Sequence, residues 1–298
     1  NLFYFNKFYK NNYHYIICPK KEKISFKKKI NNKNCEIIDE DKILPFNKFK
    51  SVANRYLKNK KYFYKIQPRL NWYYQQILKL TFVLNFIKKT NDPIIIWDAD
   101  TIILKKIFFF KKNNSIYYGT TSEFHKPYYK TNKAIFGKLP EYFISSLCQF
   151  TSLTPTEAIF LNKKLLKFKK KNFHTGLWLT EIIFKSIKSE HHIFNGSLFS
   201  EYEFIGQSNL LKNYKSQKLI SGIREHLNGR LSNIQKTILL VLGYSYIAYE
   251  HTHPNKNSLN MLNRRQTWLP FIKLIIKKTF NKFFRGIKHN FKISIYNN

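Results

Sequence analysis

Ile94-Ile95-Ile96-Trp97-Asp98-Ala99-Asp100-Thr101 is the stretch on which the reading of this chain turns. Four large apolar residues in a row, released by Pro93 after Thr90-Asn91-Asp92, have the pattern of a strand buried on both faces. Two carboxylates one residue apart then stand where that strand reaches its C-terminal end, the edge at which open α/β sheets bind ligands. Alternation along an extended chain predicts that Asp98 and Asp100 point the same way, with only the small Ala99 between them. Like charges projecting together from an apolar strand repel unless a cation lies between them. Mg²⁺ or Mn²⁺ suits such a pair, being hard, oxygen-seeking and usually shared with substrate phosphates. The same two residues would also serve to cap the turn after the strand, so two readings stand at this point.

Working outward, apolar residues recur at three-and-four spacing from Asn71 to Lys88 (Trp72, Ile77, Leu80, Val83, Leu84, Ile87), which predicts an amphipathic helix. Tyr13 to Cys18, ended by Pro19 and a lysine cluster, reads as a buried strand, and Asn34 to Ile38 as another that runs into Asp39-Glu40-Asp41. Leu2, Phe3, Phe5, Phe8 and Tyr9 recur at helical spacing, so the chain opens as helix then strand, as if an earlier strand were absent. Downstream, the pattern predicts a hairpin after Ile102-Ile103-Leu104 and a strand over Ile116 to Tyr118. Partly helical stretches follow at 134–147 and 156–169, then a helix from His174 to Ser186. An extended segment is predicted from Phe199 to Phe204 and a late strand from Tyr244 to Tyr249. Helix, breaker, buried strand is the cadence of an α/β sheet. The predicted fold class is therefore α/β.

Residues 1–269 read as one such domain, and 270–298 differ in character. Phe271, Ile272, Ile275, Ile276, Phe280, Phe283, Phe284 and Ile287 share one helical side, while Lys273, Lys277, Lys278, Lys282, Arg285 and Lys288 cover the rest. A basic amphipathic helix of this kind suits an anionic membrane surface, and equally a packed terminal helix with a solvated charged face.

Composition sets the outer bounds. The 298 residues are 43% hydrophobic and 17% aromatic, enough for a sizeable core in one large domain. The balance of 53 Lys+Arg against 17 Asp+Glu gives a formal charge of +36, a field that draws polyanions whatever its origin. Nucleic acid, an anionic membrane and a phosphorylated substrate all fit that field. So does a low-GC genome, because Lys, Asn, Ile, Phe and Tyr are inflated together. The basic residues are spread along the chain with no aromatic-basic module, so specific nucleic-acid recognition is not expected. Cys18, Cys35 and Cys148 form no C-x-x-C pair, which fits a reducing cytoplasmic setting. No apolar run approaches the ~20 residues of a membrane span. P-loop, G-x-G-x-x-G and G-x-S-x-G strings are lacking, which argues against nucleotide hydrolases, dinucleotide dehydrogenases and serine hydrolases.

Three strings occur in order: Arg69-Leu70-Asn71-Trp72-Tyr73-Tyr74-Gln75-Gln76-Ile77-Leu78-Lys79-Leu80, then Trp97-Asp98-Ala99-Asp100-Thr101, then Phe199-Ser200-Glu201-Tyr202-Glu203. Together with the acidic turn after Ile38, they resemble a group of bacterial glycosyltransferases of the GT-A fold associated with surface polysaccharide. The likeness spans roughly residues 13–255. It implies a metal-dependent enzyme that moves a sugar from a nucleotide-sugar donor to a glycan acceptor, with Asp98 facing donor ribose and metal and Asp100 ligating the metal. By the same resemblance the fold is a GT-A-like, Rossmann-type mixed sheet flanked by helices whose first strand is lacking here, and a late histidine, His251 or His253, completes the metal site, although histidine pairs are also common without metals. Such an enzyme would sit in the cytoplasm, peripheral to the inner face of the cytoplasmic membrane.

The residues themselves offer further candidates. On a helix, Trp72, Gln75, Gln76 and Lys79 can share a side, so that amides and an ammonium reach sugar or diphosphate groups. Arg69 is a comparable phosphate contact, and Arg224 suits a donor phosphate, an acidic acceptor or a surface ion pair. Glu201 and Glu203 alternate, which on an extended segment places both on one face. There either can act as the carboxylate base on an acceptor hydroxyl, hold acceptor hydroxyls, or pair with lysines. The alternatives to the transferase are a basic membrane- or nucleic-acid-binding protein and a non-catalytic relative of the transferases.

Overall fold

The computed structural model describes residues 6–9, 12–30, 33–60, 63–120, 125–137, 139, 150–168, 174–187, 198–210, 217–224, 229–249 and 266–277. It is a mixed α/β protein in which the described strands form several small sheets. β1 (His14–Cys18) and β2 (Cys35–Asp39) pair in parallel, from His14 opposite Cys35 to Cys18 opposite Asp39, with a short helix Lys23–Lys29 between them. Residues 14–39 thus form a parallel strand–helix–strand unit, with both strands where the sequence reading expected them.

Asp39 ends β2 and caps the turn Glu40–Ile43, its Oδ1 accepting from the Asp41 amide at 3.1 Å. Asp41 in turn accepts from the Phe46 amide at 3.0 Å. The acidic turn is therefore spent on chain reversal into helix α1 (Phe46–Leu57), which buries Phe49, Val52, Ala53 and Leu57. Helix α2 (Leu70–Thr90) is the spine of the molecule. Its C-terminus is closed by Asn91 in the left-handed region (φ 57°), a conformation Asn tolerates at a helix end. The main core gathers around α2, with α1, and with residues of the helices introduced next.

β3 (Ile94–Trp97) follows α2 and leads through the Asp98–Asp100 turn into β4 (Thr101–Ile103). A hairpin of β5 (Phe110–Lys111) and β6 (Asn114–Ser115) precedes β7 (Tyr117–Thr120) and helix α3 (Lys126–Phe136). β8 (Phe150–Leu153) runs antiparallel to β3, with Trp97 opposite Phe150 and their rings stacked at 4.9 Å. It enters α4 (Pro155–Leu166) through a capping box, and α5 (Thr175–Ser186) and α6 (Glu201–Leu210) follow. β9 (Gln217–Ile220) pairs in parallel with β7. β10 (Gly222–Arg224), α7 (Asn233–Val241) and β11 (Tyr246–Ala248) complete the order, β11 lying parallel to β10 and antiparallel to β4. No helix among the described residues is long and apolar enough to cross a membrane.

The predicted extended segment from Phe199 to Phe204 is corrected: from Glu201 onward it is helix. Residues 201–208 are buried on every side, so the stretch has no polar face and no helical period to read. Of the partly helical stretch expected at 134–147, residues 134–136 close helix α3, which begins earlier at Lys126, and residues 138 and 140–147 lie outside the described residues.

Candidate functional site

Three side chains of α2, Tyr73, Gln76 and Lys79, succeed one another at three-residue spacing and so form one stripe along the helix. The stripe holds the start of α6 in place. The Tyr73 hydroxyl accepts the Leu198 amide at 3.0 Å, and Gln76 Oε1 accepts the Glu201 amide at 3.3 Å. That second bond satisfies one of the amides a helix start leaves unpaired. Lys79 completes the row. Its ammonium donates to Asp98 Oδ1 at 2.6 Å and to the Tyr202 hydroxyl at 3.3 Å, and it forms an ion pair with Glu201 Oε1. An ammonium has three N–H groups, and all three have partners here. The Tyr202 ring lies 4.8 Å below the same charge.

The three sequence strings therefore meet around one lysine. The α2 string supplies Gln76 and Lys79, the strand-end string supplies Asp98, and the third supplies Glu201 and Tyr202. Lys79 joins residues 19 positions along the chain and 122 positions along it, counted from the residue numbers of Asp98 and Glu201.

The electrostatics follow from burial. Glu201 is fully buried, and its Oε2 has no hydrogen-bond partner. Burial pushes its carboxyl up to about 7, against the pull of Lys79 and with a further push from Asp98. Lys79 shows the opposite balance. Burial works against its charge, but Asp98 and Glu201 outweigh that and hold its pKa above the ordinary value. The Tyr202 hydroxyl, buried and bonded to Asp98, is held well above the usual phenol range by burial first and then by the carboxylates of Asp98 and Glu201. With both carboxylates ionised, Asp98 and Glu201 around the single Lys79 ammonium carry excess negative charge, and Asp100 adds to the negative field at Tyr202.

The strand-end turn is built to hold its shape. The Thr101 amide donates to the Asp98 carbonyl at 3.0 Å, and the Trp97 indole reaches over the turn to the Thr101 carbonyl at 2.9 Å. The Tyr249 amide, just past β11, donates to the Asp100 carbonyl at 3.0 Å. Asp98 is half-buried and Asp100 exposed. Because the turn interrupts the extended chain at Asp98, the alternation expected to align the two carboxylates does not operate here. The cation beside Asp98 in this structure is the Lys79 ammonium. Aspartate carboxylates are hard oxygen donors of the kind Mg²⁺ or Mn²⁺ accepts. No group of three or more His, Cys, Asp or Glu residues that could hold a metal occurs among the described residues.

The other expected site residues are placed as follows. Glu201 and Glu203 lie in the first turn of α6 and point to different sides of it, in place of the shared face expected of an extended segment. Glu203 is buried and accepts from Gln207 Nε2 at 3.2 Å, and the Gln207 oxygen accepts from Asn132 of α3 at 2.9 Å. It belongs to a buried polar chain between α6 and α3, away from Lys79. Gln75 is exposed. Arg69, at the opening of α2, has its guanidinium 5.9 Å from the Trp72 ring. It stands ten residues from Lys79, about 15 Å along the helix axis. Arg224 ends β10, with its Cα opposite that of Ala248. His251 and His253 lie outside the described residues. Sequence reasoning missed Trp97 and Tyr202. The indole within the strand-end string and the aromatic between two glutamates were the signals available for them.

Residues 2–218 match the model of a family of unknown function, DUF6492, a span that contains all three strings and Lys79 with its partners. No curated protein and no solved structure matches the chain.

Proposed function

We propose that this chain, which belongs to the DUF6492 family, is a glycosyltransferase of GT-A-like fold that takes its sugar from a nucleotide-sugar donor. The observation that carries the proposal is the convergence of Asp98, Lys79, Glu201 and Tyr202 at the C-terminal end of strand β3. Support comes also from the parallel strand–helix–strand opening at residues 14–39, an element that nucleotide-binding α/β folds share.

In this reading Asp98 and Asp100 hold a divalent cation, Mn²⁺ or Mg²⁺, whose chemistry would be to neutralise the departing diphosphate. Lys79 keeps the Asp98 carboxylate oriented and adds a fixed positive charge beside the leaving group. Gln76 and Glu201 act through Lys79 and the α6 start as positioning residues, since Glu201 is sealed from solvent. Tyr202 backs the ammonium with its ring and hydroxyl. The acceptor is a glycan, and the protein works from the cytoplasmic side of a membrane.

One observation favours a variant of this reading. Lys79 already neutralises Asp98, so the internal ammonium can do part of the work of a metal, and donor binding then survives chelation. A thermal-shift series with nucleotide-sugars, with and without Mn²⁺, separates the two, because a ligand that binds only the folded state raises its melting point. The exposed Asp100 allows a clean test of the metal-dependent form. Asp100→Ala should melt like the parent yet lose more than about a hundredfold in turnover, the scale for removing one charge-stabilising group. Full metal-dependent turnover in that variant would remove Asp100 from the site. Failure of every nucleotide-sugar to shift the parent would sink the transferase reading as a whole.

A further inference from the structure

Residues 266–277 pack against the end of the molecule remote in sequence from the Lys79 cluster, and they leave an apolar face uncovered. Residues 268–277 are helical. Phe271 is fully buried, and Leu274 and Ile275 pack with it onto a small core that includes Leu239, Tyr244 and Ile247. At 100° per residue those three cover one side of the helix. Trp268, Leu269, Ile272 and Ile276 fall within a separate arc of about 100°. They are 49%, 65%, 46% and 55% exposed. Lys273 and Lys277, both exposed, border that arc on its far side.

A second helix on the same small core also turns aliphatic residues outward. On α7, Ile234 and Val241 stand seven residues apart on one stripe and are 65% and 80% exposed. The two helices are tied at their starts: Gln235 Nε2 donates to the Gln266 carbonyl at 3.1 Å, and the Gln266 amide to the Arg230 carbonyl at 3.0 Å. Both rest on the same small core. Apolar residues exposed singly are ordinary, but Trp268, Leu269, Ile272 and Ile276 on one arc of a single helix form a patch that calls for a partner.

We propose that this face is a membrane-docking surface that lies on an anionic lipid bilayer. The chemistry points to lipid over protein for two reasons. A tryptophan and long aliphatics flanked by lysines are the residues that lie at the boundary of headgroups and acyl chains. The lysines continue in the sequence beyond the helix at Lys278, Lys282, Arg285 and Lys288, on a chain of net charge +36, which an anionic leaflet complements. The helix would lie in the interface plane with its Phe271 side on the protein and its Trp268–Ile276 side in the lipid. This inference is independent of the transferase reading, since Trp268, Leu269, Ile272 and Ile276 are not among the partners of Lys79.

The test is sedimentation of the full chain with phosphatidylcholine vesicles, with and without phosphatidylglycerol. The parent should sediment with the phosphatidylglycerol vesicles and bind phosphatidylcholine alone much more weakly. Trp268→Glu/Ile272→Glu should lower partitioning by more than about tenfold, since it removes two inserting groups and adds like charge to the surface. Ile24→Glu/Ile159→Glu makes the same charge change at two exposed apolar positions elsewhere, 68% and 64% exposed, and should bind nearly as the parent does. An unchanged melting point of each double variant shows that folding is intact. Equal loss in both double variants would reduce the interaction to overall charge and overturn the proposal. So would absence of parent binding, or a parent dimer that Trp268→Glu/Ile272→Glu converts to monomer with no effect on vesicles.

Discussion

Replacing Lys79 by Met keeps the side-chain stem and removes its charge, which leaves Glu201 with no counter-ion in a fully buried site. Breaking a buried ion pair from one side typically costs about 3–5 kcal/mol. The variant can escape part of that cost by protonating Glu201. In the parent, burial already raises this carboxyl from 4.5 to about 7 while Lys79 holds it down. Without Lys79 it must rise further. A carboxyl raised in the folded state contributes stability that is fully present below its unfolded pKa and is lost as pH rises through the folded value. Each unit of pKa is worth about 1.4 kcal/mol, so ionising Glu201 at its parent pKa of about 7 already sets the fold back by about 3 kcal/mol relative to acid conditions. Lys79→Met should therefore lose only about 1 kcal/mol near pH 5, the value of its hydrogen bonds. Near pH 9 the loss should reach about 3–5 kcal/mol, a fall in melting temperature on the order of 10 °C for a chain of this size. Thermal and urea unfolding across that pH range read it directly. Lys79→Met/Glu201→Gln should recover most of the loss and flatten its pH dependence, because no charge is then buried. A deficit that stays the same from acid to alkaline pH, or a double variant as unstable as the summed singles, would refute the account of Glu201 as a buried charge held by Lys79.

Two further outcomes follow from packing and hydrogen bonding. At Gly222 an added Cβ would meet the Tyr246 ring at 2.0 Å, because that fully buried ring lies across the glycine from the paired strand. Gly222→Ala should cost about 1–3 kcal/mol in urea unfolding, and Gly222→Ala/Tyr246→Leu should cost less than Gly222→Ala. Glu157 accepts from the Ser115 amide at 3.0 Å, the Ser115 hydroxyl at 2.5 Å and the Thr154 amide at 2.8 Å. Glu157→Gln sets an amide donor against that cluster of donors and should cost about 2 kcal/mol, where Ser115→Ala, which removes one donor, should cost less.

How much of this was legible in the residues depended on whether a segment had two different faces. α2 was readable because it touches core on one side and carries Gln75, Asn71 and Lys89 to solvent on the other. β1, β2 and β3 were readable because short apolar runs between breakers admit little else. α1 carried its signal openly, with Phe49, Val52, Ala53 and Leu57 at helical spacing, and required only that the period be counted. α6 gave no such signal. Its residues 201–208 are buried all round, so Glu201, Glu203, Gln207 and Ser208 sit among apolar neighbours and break every amphipathic pattern. Alternating glutamates then look like a strand when they are the first turn of a helix. Glu201 is compensated from far away in sequence by Lys79, whereas Glu203 is met one turn along its own helix by Gln207, which Asn132 of α3 holds in turn.

The strand-end carboxylates show the same limit from the other side. Asp98 does follow a strand and Asp100 the turn after it, and a cation, the Lys79 ammonium, does stand beside Asp98. Local sequence could not say which cation, because a helix residue 19 positions earlier reaches the site only through the tertiary packing of α2 against β3 and α6. Polar residues at three-residue spacing on an otherwise core-forming helix, as at Gln76 and Lys79, are the signal that does survive. A helix that places an amide and an ammonium on the side it buries must have partners for them. In so basic a chain, with 17 acidic residues to choose among, the two strings rich in Asp and Glu were the natural place to find them. The convergence of the three strings is thus a consequence of burying one lysine. Any chemistry at this strand end has to work with that lysine in place or move it.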